Sequence, residues 1–221
     1  MRWAPAAALL LAGCAPALRS SPPPAADERD PATSLAEIQA IARRIEAEHD
    51  ARTREALVTA AIDEGRRCEA RAPDHPECDY GLALALGLQA RERPSTAADG
   101  LKRMIERLRR AQAAGAGLDS GGPSRVLALL LLRAPGWPLG PGDPEAALAE
   151  ARKAVALFPD YPPNQLALAE ALLTTGEEQS GRAAARQALV RARLFEVQGN
   201  REASKWVEEA QRLVASPGAA R

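Results

Sequence analysis

Few residues of this chain can do covalent or metal chemistry: three cysteines, Cys14, Cys68 and Cys78, and two histidines, His49 and His75. Cys68 and Cys78 are close in sequence and sit in a chain whose beginning reads as an export signal, so a disulfide is expected. The rival reading, a metal pair, lacks further ligands because the histidines are so few. No glycine-rich phosphate loop, Gly-x-Ser-x-Gly elbow or helical His and Glu pair at metal spacing occurs. The sequence therefore predicts a non-enzyme with no catalytic residues, no metal and no cofactor. Glu170 is the carboxylate to weigh, since it interrupts the apolar run Leu166-Ala167-Leu168-Ala169-Glu170-Ala171-Leu172. On a helix it falls on a different face from Leu168 and Leu172, which makes it a groove-lining or solvated group rather than a catalytic one.

Cys14 has a different role. Met1-Arg2-Trp3 supplies one positive charge, Ala4 to Ala12 a short apolar run, and Leu11-Ala12-Gly13-Cys14 closes it. That order is an export signal. Leu-Ala-Gly-Cys resembles the bacterial lipobox, which implies cleavage before Cys14 and acylation of that cysteine; the alternative is an ordinary signal peptide with a chance cysteine. The apolar run is far short of the ~20 residues that span a bilayer, so lipid is expected to hold the protein. The domain plan is then a signal peptide at 1–13, the lipidated cysteine with a flexible proline-rich tether at 14–33, a helical domain at 34–216 and a disordered tail at 217–221. A tether of that composition extends at ~3.1 Å per residue, several tens of ångströms in all. The expected location is the periplasm, on a lipid anchor at the outer membrane. Lys plus Arg and Asp plus Glu balance at 29 each, and aromatics are only 3%, which argues against a nucleic-acid partner.

Proline and glycine clusters divide the rest into segments whose apolar residues recur every three or four positions, so the domain is expected to be all-α. The spacing predicts a first helix opened by the capping box Ser34-Leu35-Ala36-Glu37, with Leu35, Ile38, Ile41 and Ile45 on one face. Asp50 is placed to cap a second helix running to about Glu69. Pro73-Asp74-His75-Pro76 returns as Pro159-Asp160-Tyr161-Pro162, and Leu82-Ala83-x-x-Leu86 returns at Leu127 and at Leu168. Copies about forty residues apart imply stacked helical hairpins. Ala61, Gly65 and Cys68 precede Pro73 as Ala147, Ala151 and Ala154 precede Pro159, small residues that let helices approach closely. These residues resemble the tetratricopeptide repeat (TPR). The resemblance implies an irregular α-solenoid of TPR type, with lengthened connections at Ala134 to Asp143 and Glu177 to Arg182. The superhelix is irregular or closed on itself, and Asn200 to Val214 forms a capping helix whose Trp206 joins the core.

Between the repeats, Ala134-Pro135-Gly136-Trp137-Pro138-Leu139-Gly140-Pro141-Gly142-Asp143-Pro144 forms a rigid loop presenting one tryptophan, with Asp143 and Pro144 placed to start a helix. Either the loop is a lid packed on neighbouring helices or it offers an apolar contact to a partner. Together with Gly121-Gly122-Pro123-Ser124-Arg125 and Phe158-Pro159-Asp160-Tyr161-Pro162-Pro163-Asn164, it resembles the T-component family, repeat-bearing lipoproteins associated with tripartite ATP-independent periplasmic (TRAP) transporters. The resemblance is clearest from Gly121 to Leu173; Gln165 departs from it, standing beside Asn164 where a histidine is expected. It implies a scaffold that associates with a periplasmic substrate-binding protein of such a transporter or with an apolar ligand, and that forms a homo-oligomer. The expected partner or ligand site comprises Arg125, Trp137, Pro138, Asn164 and Glu170, with the membrane contacted through the lipid anchor. The alternative function is an assembly factor for outer-membrane or envelope machinery that uses the same scaffold.

Overall fold

A computed structural model describes residues 29–94 and 97–216. The expected signal peptide, Cys14, most of the tether and the C-terminal tail lie outside the described residues. Among those described the chain is all-helical: α1 (Pro31–Ala47), α2 (Ala51–Arg71), α3 (Pro76–Glu92), α4 (Ala97–Gly115), α5 (Gly122–Arg133), α6 (Pro144–Leu157), α7 (Pro162–Thr174), α8 (Glu178–Val197) and α9 (Ala203–Ala215). Proline stands in the first turn of α1, α3, α5, α6 and α7, where its fixed φ suits the helix and its missing N–H is no loss. Asp50 caps α2 by accepting from the Thr53 amide at 2.7 Å, and Asp143 caps α6 by accepting from the Ala146 amide at 3.0 Å.

Three boundaries differ from the sequence reading; one is α9, which begins at Ala203 and not at Asn200, whose side chain accepts from the Glu202 amide in the preceding turn. Helix α1 begins at Pro31, inside the expected tether, because proline at its first turn starts the helix before the capping box can. Ser34 is wholly buried inside that helix, and its hydroxyl accepts from Arg71 Nη2 at 2.8 Å. The connection expected at Glu177 to Arg182 is a tight turn instead. Gly176 takes a left-handed φ of 86°, and α8 starts at Glu178.

Each helix packs chiefly on the next, and α1 on α3, α5 on α7 and α7 on α9 besides. Side-chain bonds repeat the same step, joining Ser34 to Arg71, Arg54 to Glu92, Gln112 to Glu150 and Arg125 to Asn164 at separations of 37, 38, 38 and 39 residues. Of the Leu-Ala-x-x-Leu residues, Leu82, Ala83, Leu86, Leu127, Ala128, Leu131, Ala169 and Leu172 are buried, while Leu168 is half-buried. The small residues act as the spacing suggested: a Cβ on Gly65 would meet the Leu82 Cα at 3.0 Å, so α2 lies close on α3. Core chemistry changes along the chain, from isoleucine and leucine between α1 and α5 to mostly alanine between α6 and α9. Cys68 and Cys78 are bonded, clamping the end of α2 to the start of α3.

Candidate functional site

The site begins at the turn between α4 and α5, where Asp119, Ser120 and Gly121 all take left-handed φ values of 47°, 52° and 82°. For Asp119 and Ser120 that conformation is unfavourable, by roughly 1–3 kcal/mol each, and persists only where surrounding bonds over-determine it. Those bonds are present. The Asp119 carboxylate accepts from the Tyr80 hydroxyl at 2.7 Å and from Arg125 Nη2 at 2.7 Å. Arg125 Nη1 donates to the Asp119 and Ser120 carbonyls at 3.1 and 3.3 Å and to Asn164 Oδ1 at 2.9 Å. The Asn164 amide in turn donates to the carbonyls of Ser120, Ala154 and Phe158 at 3.0, 3.0 and 3.1 Å. One hub thus ties α3, the turn, α5, the end of α6 and α7. Burial pushes the Tyr80 hydroxyl well above its ordinary range; the Asp119 charge adds to this and Arg125 opposes it. Tyr80 is therefore a fixed donor.

The Arg125 guanidinium also lies 5.1 Å from the centre of the Tyr161 ring, a cation–π contact. Tyr161, Phe195 and Trp206 meet edge to face with centroids 5.6 to 6.3 Å apart. Arg125, Tyr161 and Trp206 line one end of a cleft walled by the odd-numbered helices. A cavity of about 560 Å³ is bounded by α1 (Arg43, Glu46), α5 (Leu129, Arg133), α7 (Leu166, Glu170) and α9 (Lys205, Trp206). A second, of about 360 Å³, shares Arg43, Arg125 and Trp206 with it and reaches Leu84 and Leu88 of α3. Glu170 accepts from Arg133 Nε and Nη2 at 3.0 and 2.7 Å, and this pairing raises the Arg133 pKa against the opposing effect of burial. Lys205 Nζ reaches Glu46 Oε2 at 2.8 Å and joins the last helix to the first.

A second concavity opens beside α5. The N-terminal end of α5 lies hard against α3: a Cβ on Gly122 would fall 2.3 Å from the Tyr80 hydroxyl. At its other end a groove of about 350 Å³ opens, with Gly87 and Ala90 of α3 and Leu101 and Met104 of α4 on one side and Leu130, Ala134 and Pro135 on the other. The Trp137 loop rises from this rim. Its backbone is closed by Gly142 N to Pro135 O at 2.8 Å, Asp143 N to Leu131 O at 2.9 Å and Gly140 N to Gly136 O at 3.1 Å. Only glycine fits at 142, where a Cβ would stand 2.2 Å from the Ala134 carbonyl. Trp137 is 89% exposed and Leu139 80%, so the tryptophan does not pack as a lid.

The expected site residues therefore fall into three places. Trp137 and Pro138 stand exposed at the loop tip; Glu170 is on the cleft wall; Arg125 and Asn164 are buried together in the hub, with Arg125 also reaching the cleft. Cys14 lies outside the described residues. Tyr80, Asp119, Arg133 and Tyr161 complete the arrangement and were missed by sequence reasoning. The one signal for them was Asp119-Ser120-Gly121, a run of turn-forming residues ahead of the Gly122-Pro123 helix start. Comparison with models of known protein families gives no match, and comparison with curated proteins gives none either. No helix among the described residues is long and apolar enough to cross a membrane.

Proposed function

We propose that this chain is a non-enzymatic scaffold of TPR type, held at a membrane of the cell envelope through Cys14, that docks a partner protein on the Trp137 loop and the adjoining groove. The observation that carries the reading is the exposure of Trp137 and Leu139 on a loop fixed by its own backbone bonds. A large aromatic already held in one place loses little freedom on binding, which is how aromatic anchors come to dominate interface energies. The hairpin-to-hairpin packing and the 37- to 39-residue step of the side-chain bonds support the repeat type. The T-component resemblance makes the partner a periplasmic substrate-binding protein of a tripartite ATP-independent transporter. An apolar ligand fits the groove beside the loop, where Leu101, Met104, Val126 and Leu130 stand, better than the larger cavity, whose wall is mostly charged.

Two experiments test this. Cys14→Ala should release the protein from membranes and abolish acyl labelling while its circular dichroism stays unchanged; persistence in the membrane fraction removes the anchor. A photo-crosslinker at Leu139 should capture a periplasmic protein, and Trp137→Ala should lower that capture tenfold or more, from the ~2 kcal/mol or more attached to such anchors. The melting temperature should hardly move. A large drop in melting temperature with capture undiminished would make the loop a structural element and not a docking site.

A further inference from the structure

Helix α8 buries one face and leaves its opposite face unusually dressed. Gly181, Ala184, Ala185, Ala188 and Ala192 point into the core. On the outward side Val190, Leu194 and Val197 are 61%, 49% and 88% exposed, half of the large hydrophobic side chains that stand exposed among the described residues. Spaced by four and then three positions, they form one stripe. Arg186 and Arg193 project on the same side, and Arg201 follows in the turn just beyond; all three are exposed and make no hydrogen bond or ion pair with any described residue. The chain as a whole carries no net charge, yet α8 holds Arg182, Arg186, Arg191 and Arg193 against only Glu178 and Glu196. Aliphatic residues beside unpaired arginines on one helix face are the pattern of an interfacial helix, whose apolar groups enter the headgroup boundary while its cations meet anionic lipid.

We infer that the outer face of α8 is a membrane contact that lays the domain on an anionic lipid surface. Charge selects this occupant: a planar anionic surface neutralises arginines that make no ion pair with any described residue, without demanding a matching arrangement of carboxylates. The contact need not be strong. A domain tethered within a few tens of ångströms of the bilayer meets it at an effective concentration near millimolar, so a weak surface affinity suffices to hold an orientation. That strengthening rests on the anchor reading; the lipid preference of the face does not.

The test uses the full chain with an encoded environment-sensitive fluorescent amino acid at position 197 in place of Val197, mixed with vesicles of equal phosphatidylglycerol and phosphatidylcholine or of phosphatidylcholine alone. The emission should shift to the blue on the anionic vesicles only and return at high salt, where screening shortens the reach of the arginines. Arg186→Glu with Arg193→Glu should move the lipid titration by about tenfold or more, since each basic residue near such a surface is worth about fivefold. The same fluorophore at Leu139 should stay water-like. No shift at position 197, even where the chain sediments with the vesicles through its N-terminus, overturns the inference and leaves the anchor standing. An equal shift on both lipids also overturns it. So does a concentration-dependent shift without lipid, which would assign the face to a second copy of the chain.

Discussion

Replacing Asn164 by alanine removes the residue on which the hub turns. The side chain is fully buried, its oxygen accepts from the Arg125 guanidinium at 2.9 Å, and its amide meets three main-chain carbonyls. Two amide hydrogens serve those three carbonyls, so the loss is two neutral hydrogen bonds at about 1 kcal/mol each and one charge-assisted bond at about 1.5–3 kcal/mol. The small cavity left behind adds to these terms, which sum to about 3.5–5 kcal/mol, and the bonds that remain offset part of it, so the net loss is about 4 kcal/mol. The carbonyls keep partial satisfaction, because Phe158 N still donates to Ala154 O and Arg125 Nη1 to Ser120 O. Arg125, itself only 8% exposed, is left with less to neutralise it. For a domain of this size 1 kcal/mol moves the midpoint about 2–4 °C, so Asn164→Ala should melt about 8–16 °C lower. Urea unfolding followed by circular dichroism measures the same quantity. Arg125→Met should be less than additive with it by 1 kcal/mol or more, because the two side chains share one bond. A loss below about 1 kcal/mol, or strict additivity, would refute the view that Asn164 and Arg125 hold the turn as a unit and return both to the list of ligand contacts.

Reducing Cys68–Cys78, or replacing both cysteines by serine, should lower the unfolding free energy by about 2–3 kcal/mol, the entropy of a loop whose ends are 10 residues apart; urea titrations with and without reductant measure it. Burial raises the Glu64 carboxyl, but hydrogen bonds from Ser34 and Arg67 and the charges of Arg67 and Arg29 outweigh it, and the net result lies below the ordinary 4.5. Its stabilisation is therefore complete above about pH 4.5 and is lost as pH falls through the lower folded value. Glu64→Gln should flatten that acid limb while lowering stability at neutral pH. A pH profile unchanged by the substitution would refute that assignment.

How much of this was legible follows from the range of each interaction. The caps at Asp50 and Asp143, the proline start of α6 and the disulfide depend on neighbours within about ten residues, and the sequence showed all of them. The close packing of consecutive helices also showed, because small and large residues return where α2 meets α3 and α6 meets α7. The start of α1 was misplaced where two local signals competed, and proline in the first turn prevailed over Ser34, which the fold needed inside. The hub was invisible for a different reason. Tyr80, Asp119, Arg125 and Asn164 are each ordinary in their own helix or turn, and only the left-handed run at Asp119 to Gly121 brings them together. Their partners lie 39 residues away, beyond any pattern a helix imposes. Trp137 was singled out correctly as unusual, but only burial could separate a lid from a free aromatic.

The meeting of Glu46 and Lys205, 159 residues apart, gives the stack the mechanics of a split ring. Elsewhere the wall is tied more firmly, by a covalent bond at Cys68–Cys78 and by the hydrogen bonds of the hub. Where α1 meets α9, an ion pair between described residues joins them, its two side chains 52% and 65% exposed. Such a pair is worth about 0–1 kcal/mol and weakens with salt. The wall of the cavity is therefore held more weakly between α1 and α9 than at the disulfide or the hub.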